Sequence, residues 1–235
     1  MKKFKLTSEF IVDISGVKLF RIKALIEFGN VKAGDLGGYI EKEENLSHMG
    51  NAWVSGNAQV SGDARVSGNA RVSGDAQVFG DAWVFGNAQV SGNARVFGNA
   101  RVSGNARVSG NARVSGDAWV FGNAWVFGDA RVFGNAWVSG NARVFGDARV
   151  SGNAQVFGDA RVSGDKDYAY AHGFGSCNRT TTFFRLKDGD VGVRCGCFYG
   201  TLAQFRDNVC ETHGETKKAQ EYLMLADLMD FRFKN

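Results

Sequence analysis

The sequence predicts a mainly β protein whose centre is a long parallel β-solenoid closed by a cap at each end. A hexapeptide, Gly-Asn/Asp-Ala-x-Val-Ser/Phe, recurs without interruption, and its starts fall every six residues from Gly50 to Gly158, which gives nineteen copies. The chain has 32 glycines and no proline, which suits a regular structure with glycine at its corners and argues against a collagen-like chain. The segments before and after the repeats lack this pattern.

Each hexapeptide is predicted to form one short strand and one corner. Residues alternate faces along a strand, so the valine and the alanine four positions later can both point inward. Glycine followed by asparagine or aspartate suits a corner, because these residues best tolerate left-handed backbone angles. Three such units make a triangular coil, so the nineteen hexapeptides predict about six coils and a rod about 30 Å long.

The unit Val-Ser/Phe-Gly-Asn/Asp-Ala-x resembles the hexapeptide repeat of left-handed parallel β-helices, in which a small residue follows an aliphatic one after four positions. The resemblance covers residues 50–163, about half of the chain. It implies a triangular solenoid with left-handed winding, which departs from the usual right-handed crossover rule.

Residues 1–49 are predicted to form an N-terminal β cap, since the ends of a solenoid expose unpaired edges. Ser15-Gly16 lies between two β-rich runs and predicts a hairpin. Residues 34–40 are expected to lead into the first coil through a degenerate turn.

Residues 164–235 are predicted to form a small α+β domain of ββαα order. Strands are expected over 179–184 and 191–198, joined at a turn with an Asp-Gly signal. Two helices are expected to follow, over about 201–210 and 215–231.

Residues eighteen apart are expected to stack on one outer face of the rod. One face carries Gln59, Gln77, Arg95, Arg113, Arg131 and Arg149. A second carries Arg65, Trp83, Arg101, Trp119, Trp137 and Gln155. The third carries Trp53, Arg71, Gln89, Arg107, Trp125, Arg143 and Arg161.

Thirteen aromatic side chains are predicted to point outward, which is more than a rod surrounded only by water needs. Tryptophan and arginine are favoured at the centres of interfaces, so we expect a surface for protein binding or self-association. The predicted binding residues are Trp83, Trp119, Trp125, Trp137, Phe121, Phe127, Phe133, Arg95, Arg113, Arg131 and Arg149. The alternative is that stacked aromatic rings and Arg–Asp pairs only stiffen the coils.

The balance of charges argues against a nucleic-acid partner, and the lack of long apolar runs argues against a membrane protein. Seven corner aspartates offset the ten repeat arginines, and binding to phosphates depends on uncompensated positive charge. No apolar run approaches the length of a membrane span, and the N-terminus lacks the apolar segment of a secretory signal. We therefore expect a cytoplasmic protein.

No catalytic signature is visible, and we expect no enzyme activity. Acyltransferases that resemble this fold use a histidine base and a loop projecting from the coils, whereas residues 50–163 contain no histidine, cysteine, lysine or glutamate. Carbonic anhydrases of the same fold use three histidines on zinc, whereas His48, His172 and His213 lie scattered across the flanks. An acyltransferase with its site between subunits remains an alternative.

The cysteines are weak candidates for a structural zinc site, and we expect no cofactor. Cys195 and Cys197 are two apart and are expected to share one face of a strand, and Cys210 and His213 lie three apart near a helix end. Cys177 could join them. Buried cysteine is more often a small hydrophobic residue, so free thiols are the favoured interpretation.

The two flanks resemble those of hypothetical proteins from bacteriophages and prophages. The resemblance rests on residues 20–25 and 34–39 near the start, and on residues 178–184 and 195–198 near the end. Such proteins are often labelled polymer-forming or acetyltransferase-like on the repeat alone. Together with the missing catalytic signature, the phage setting suggests, by analogy, a non-catalytic binding or scaffold protein in the cytoplasm of a bacterial host. Its expected partner is a host protein or a small anionic signalling ligand, as for an inhibitor of host defence, and it is expected to form homo-oligomers. A purely structural, self-assembling rod is a further alternative.

Overall fold

The computed structural model describes residues 1–176 and 178–234. Three strands come first: β1 (Phe4–Val12), β2 (Lys18–Ala24) and β3 (Leu36–Ile40), followed by a single 3-10 turn at Glu43–Asn45. Nineteen two-residue strands follow, one in each hexapeptide, from β4 (Trp53–Val54) to β22 (Arg161–Val162). The C-terminal part contains β23 (Tyr168–His172), β24 (Thr180–Arg185), β25 (Val191–Cys195), β26 (Phe198–Thr201), α1 (Leu202–His213) and α2 (Lys217–Phe233).

The repeat strands form three parallel sheets, one along each face of the solenoid. Every repeat strand except the last one in each sheet pairs with the strand eighteen residues further on, so that Gln59 lies beside Gln77 and Val60 beside Val78. The repeat alanines and valines fill the interior, and each is at most 1% exposed. Each buried valine contributes roughly 1.5 kcal/mol or more relative to an exposed one. The predicted parallel solenoid with a valine–alanine core is therefore confirmed.

The solenoid has about seven coils rather than about six. Strand β3 pairs in parallel with Gln59–Val60, and Leu46 bridges to Val66 on the next face. Residues 36–54 thus form a coil of their own, with Tyr39 and Ile40 in the places of a repeat x–Val pair. Its third side, at Trp53–Val54, belongs to the first hexapeptide, but the sides at Tyr39–Ile40 and Leu46 carry no hexapeptide signature, which is why the repeat count missed them. The left-handed direction of winding stays a prediction.

Glycine at the corners is required for two reasons. The corner glycines have φ between +61° and +71°, the left-handed region that side chains with a Cβ rarely adopt. They also stack on one another between coils, so a Cβ on Gly104 would lie 3.0 Å from the backbone nitrogen of Gly122. Both the backbone conformation and the coil spacing exclude a side chain here.

At the N-terminal end, two buried polar side chains replace the backbone donors of a missing coil. Lys3 Nζ donates hydrogen bonds to the carbonyls of Gly50 (3.3 Å) and Ala52 (2.8 Å). One coil later the equivalent carbonyls accept from backbone N–H groups. Asn45 Nδ2 does the same for Gly62 (3.0 Å) and Ala64 (2.9 Å). The predicted hairpin at Gly16 joins β1 to β2 above these residues.

At the C-terminal end, side-chain acceptors meet backbone N–H groups of the last coils. Thr182 Oγ1 accepts from Gln155 N at 2.9 Å, and Asp165 Oδ1 accepts from Arg149 N at 3.2 Å. Tyr168 donates its hydroxyl hydrogen to the carbonyl of Arg149. Both ends of the solenoid are therefore closed by hydrogen bonds as well as by apolar contact.

The C-terminal part is an antiparallel sheet packed on a helical pair, with four strands rather than the predicted two. Residues 191–198 do not form one returning strand, because Gly196 adopts φ +57° and turns the chain so that Cys195 pairs with Phe198. Tyr168–His172 adds a further strand beside β24. Both helices are confirmed, and Thr201 caps the first by accepting from Gln204 N. No helix within the described residues is long and apolar enough to span a membrane.

Replacing Gly104 with alanine is expected to lower the free energy of unfolding by ~1–2 kcal/mol, because an L-residue is forced into the left-handed region. Gly164→Ala is the matched control, since Gly164 has no positive φ and open space around its Cα. Denaturant unfolding of both variants measures the difference. Equal stability of the two variants would contradict the role of the corner.

Lys3 makes stability depend on pH. Burial lowers the pKa of Lys3 from its ordinary value of 10.5 to about 8. Between pH 8 and 10.5 the unfolded chain holds this proton and the folded chain does not, so stability should rise with pH in that window. The free energy of unfolding of the native protein, minus that of Lys3→Met, should rise by up to ~3 kcal/mol. Denaturant titrations at several pH values measure it, and parallel pH profiles would refute the expectation.

Candidate interaction surfaces

Coil stacking turns the variable repeat position into three linear arrays. The arginine-ladder face carries Gln59, Gln77, Arg95, Arg113, Arg131 and Arg149 in parallel register. The tryptophan face carries Arg65, Trp83, Arg101, Trp119, Trp137 and Gln155. The mixed face carries Trp53, Arg71, Gln89, Arg107, Trp125, Arg143 and Arg161. The structure thus places the predicted site residues on three different faces.

The arginine-ladder face is bordered by acidic residues on both of its corners. Its four consecutive arginines are exposed, and six of the seven corner aspartates lie at its two edges. These aspartates are Asp63, Asp75, Asp81, Asp117, Asp129 and Asp147. The four arginines of this ladder, which was predicted as a binding element, are therefore outnumbered by the six aspartates at its edges.

The expected Arg–Asp pairs do not form among the described residues. None of the ion pairs in this part of the chain, up to 4.0 Å, involves a repeat arginine. Corner aspartates instead accept hydrogen bonds from the asparagine one coil earlier, as Asp117 does from Asn99 at 2.8 Å. These hydrogen bonds join residues of one corner along the rod axis. An Arg–Asp ion pair would instead have to join a corner aspartate to an arginine on the neighbouring face.

The corner between the tryptophan face and the mixed face holds a continuous asparagine ladder. Its side-chain amides bond from coil to coil at 3.0–3.2 Å, from Asn69 to Asn141 and then to Asp159. The intermediate members are Asn87, Asn105 and Asn123. Along this corner the first acidic residue is Asp159, in the last coil.

We call this side of the rod the acid-free ridge. It comprises the asparagine corner from Asn69 to Asn141 together with the variable positions from Arg65 to Arg143 on its two flanking faces. These positions hold five arginines and four tryptophans and no acidic residue. The arginines are Arg65, Arg71, Arg101, Arg107 and Arg143. The fifth tryptophan, Trp53, is buried against Phe28 and contributes nothing to this surface.

Most ridge tryptophans are held rigidly by the serine one coil earlier. The indole N–H donates to Ser67 from Trp83 (3.1 Å), to Ser103 from Trp119 (3.1 Å) and to Ser109 from Trp125 (3.2 Å). Each of these indoles also packs on the phenylalanine two residues later, with ring centroids 4.5–4.7 Å apart. The rings are therefore presented in fixed orientations.

Trp137 departs from this arrangement. The residue sixteen positions earlier is Phe121, which cannot accept a hydrogen bond, and the Trp137 indole N–H has no partner among the described residues. Trp137 instead meets Trp119 edge-on at 5.6 Å and stays 42% exposed.

The predicted phenylalanines belong to separate clusters. Phe127 stacks on Phe145 at 5.2 Å on the mixed face, and Phe121 packs against Trp119 on the tryptophan face. Phe133 lies on the arginine-ladder face and is 38% exposed. Much of the aromatic surface is thus engaged in ladder packing, while Trp83, Trp137 and Phe133 remain the most exposed.

The ridge arginines were absent from the predicted site. The sequence does carry a signal for them, because the Asn/Asp positions taken in steps of eighteen are all asparagine along one corner until Asp159. The net charge of all nineteen repeats does not reveal that this corner lacks acidic residues.

Within residues 1–176 and 178–234, no group of three or more His, Cys, Asp or Glu side chains is arranged so that it could hold a metal ion. Cys195 ends a strand and Cys197 lies in the following turn, so they do not share a strand face as expected. Both line a cleft of about 200 Å³ with His213 and Tyr222, whereas the exposed Cys210 does not. Cys177 lies outside the described residues.

The aromatic stacks are expected to couple energetically. Phe127→Ser and Phe145→Ser keep the repeat pattern, since serine occupies this position in eleven repeats. A double-mutant cycle on unfolding should give a coupling of ~0.5–1.5 kcal/mol. The control cycle pairs Phe145→Ser with Phe133→Ser on another face and should give none. Additive effects in both cycles would show that the stacks do not stiffen the coils.

The comparisons with known proteins concern the repeats. Nine stretches match the model of the YdcK β-solenoid repeat, at residues 58–74, 64–78, 76–92, 88–104, 100–116, 106–122, 124–140, 136–152 and 142–156. No curated protein matches the chain. The match and the three parallel sheets together show a repeat β-solenoid protein whose central coils are similar to the YdcK solenoid repeat.

Proposed function

We propose that this is a non-catalytic binding protein that recognises an acidic protein surface through the acid-free ridge. The observation that supports it is the distribution of charge: all four outward tryptophans and five arginines lie on the two faces that flank the asparagine corner, and six of the seven corner aspartates lie on the other two corners, at the edges of the arginine-ladder face. The sum over the repeats is only weakly basic, but the ridge itself carries five positive charges and no negative one.

The composition and rigidity of the ridge fit protein recognition. Tryptophan and arginine dominate the energetic centres of protein interfaces, and side chains that are already ordered lose little entropy on binding. The indole hydrogen bonds to serine supply this order before any partner arrives. An acidic partner surface complements the ridge and is guided to it by electrostatic attraction.

The proposed partner and biological role are based on the N-terminal and C-terminal flanks of the repeats. Their resemblance to phage and prophage proteins suggests a cytoplasmic host factor as the partner and inhibition of a host defence as the outcome. The exposed aromatic rings also suggest self-association. This setting would have to be tested separately from the ridge itself.

Two alternatives compete with this proposal. A hexapeptide-type acyltransferase would need a titratable group near the coils, and the repeats supply only arginine and corner aspartate. A purely structural rod would assemble by itself and would gain nothing from separating its charges.

The decisive experiment compares two double variants with the same charge change. Arg101→Gln/Arg107→Gln removes two ridge charges, and Arg95→Gln/Arg113→Gln removes two charges from the arginine-ladder face. Glutamine already occupies this position in four repeats, so both variants should fold. Tagged proteins are used to capture partners from a bacterial lysate, and the affinity for the main captured protein is then measured at several salt concentrations.

The ridge variant should bind this partner at least about tenfold more weakly and with a smaller salt dependence, as expected when charge complementarity is lost. The arginine-ladder variant should bind like the native protein. Equal losses in both variants would contradict the proposal. Assembly of the purified chain with no partner would favour the structural rod, and transfer from an acyl donor would favour the enzyme.

A further inference from the structure

A second concave site lies where the rod meets the C-terminal sheet. The cleft has a volume of about 380 Å³ and lies between Trp137 and Gln155 of the tryptophan face and the beginning of β24, at Arg179 and Thr180. This volume falls in the range of small-molecule sites, about 300–1,000 Å³. Trp137 is also one of the four ridge tryptophans, so the cleft adjoins the end of the ridge.

The aromatic wall of the cleft is Trp137. Trp137 keeps an indole N–H without a partner among the described residues, because Phe121 takes the place of the usual serine. Its edge contact with Trp119 at 5.6 Å fixes the ring, and 42% of the residue is exposed. A fixed ring with an open face is a stacking platform for a planar ligand.

The cleft also contains one unneutralised cation. Arg179 passes directly over Gly196, where a Cβ would come within 2.2 Å of Nη1, so glycine at this turn leaves the room that the guanidinium occupies. Arg179 takes part in none of the ion pairs among the described residues, and the residues that line the cleft include no carboxylate. A guanidinium in this setting favours an anionic group such as phosphate.

The remaining wall supplies neutral hydrogen-bonding groups. Asn135 Nδ2 donates to Asn153 Oδ1 at 3.1 Å, which orients both amides at the edge of the cleft. Gln155 and Thr180 line the space between Trp137 and Arg179. Amide and hydroxyl groups in such positions can bond the polar edge of a heterocycle or the hydroxyls of a sugar.

We propose that this cleft binds a small planar heterocycle that carries an anionic group, the chemistry of a nucleoside monophosphate. The ring stacks on the face of Trp137, the in-plane indole N–H donates to a sugar or phosphate oxygen at the edge of the indole, and the phosphate pairs with Arg179. This inference does not rest on the proposed protein-binding ridge. It gives the chain a small-molecule site of its own at one end of the rod.

The test is calorimetric titration of the full-length protein with AMP, GMP, CMP and UMP, and then with adenosine and ribose 5-phosphate. At least one of the monophosphates should bind saturably with one site per chain. Adenosine lacks the phosphate and ribose 5-phosphate lacks the ring, so each should bind at least about tenfold more weakly than AMP if AMP is bound. Absence of saturable binding by all four monophosphates at millimolar concentration would overturn the proposal.

Matched variants locate the site. Trp137→Gln and Arg179→Gln should each weaken binding by about tenfold or more, since stacking and charge pairing each contribute on that scale. Trp83→Gln is the control, because Trp83 has the same repeat position and 41% exposure but lies outside the cleft. Trp137→Phe keeps a ring and should retain most of the affinity. An equal loss in Trp83→Gln, or full affinity in Trp137→Gln, would place the ligand elsewhere.

Discussion

The structure depends on coils that stack at one backbone spacing, with glycine in the left-handed conformation at the corner of every hexapeptide. Each coil donates backbone hydrogen bonds to the next, and these ladders hold only while every coil has the same length and the same corner geometry. The valine and alanine interior follows from this constraint, because a uniform triangular cross-section has room for one medium and one small side chain per hexapeptide. The absence of insertions in the nineteen repeats is the sequence counterpart of the same requirement.

A structure built only of stacked coils has a difficulty at its two ends, where backbone groups lose their partners. In this chain, side chains supply hydrogen-bond donors at one end of the rod and acceptors at the other. Lys3 and Asn45 supply donors to the first carbonyls, while Thr182 and Asp165 supply acceptors to the last N–H groups. The caps therefore act as partial coils, and the first of them, around Tyr39, is a coil in its backbone although not in its sequence.

Stacking also converts small choices in each repeat into long surfaces. An asparagine rather than an aspartate at one corner changes little in a single coil, but repeated in every coil it produces a side of the rod without acids. A phenylalanine rather than a serine at position 121 removes one acceptor, and thereby leaves the Trp137 indole N–H beside the cleft without a partner in the part of the chain that the structure describes. The two proposed sites thus arise from departures within an otherwise uniform array.

The sequence by itself determined the parallel solenoid, its valine–alanine interior, the composition of each face and the two helices at the C-terminus. It could do so because an uninterrupted period of six residues permits one regular stacking, and because Thr201 and the apolar spacing that follows define the helices locally. Only the tertiary structure decided the coil without a signature, the hairpin at Gly196 and the position of Arg179 beside Trp137. These features depend on contacts between residues far apart in the chain, and no local pattern encodes such contacts. The distribution of charge needed both. The sequence shows which repeats carry aspartate or arginine, but only the structure shows which corners lie next to which faces.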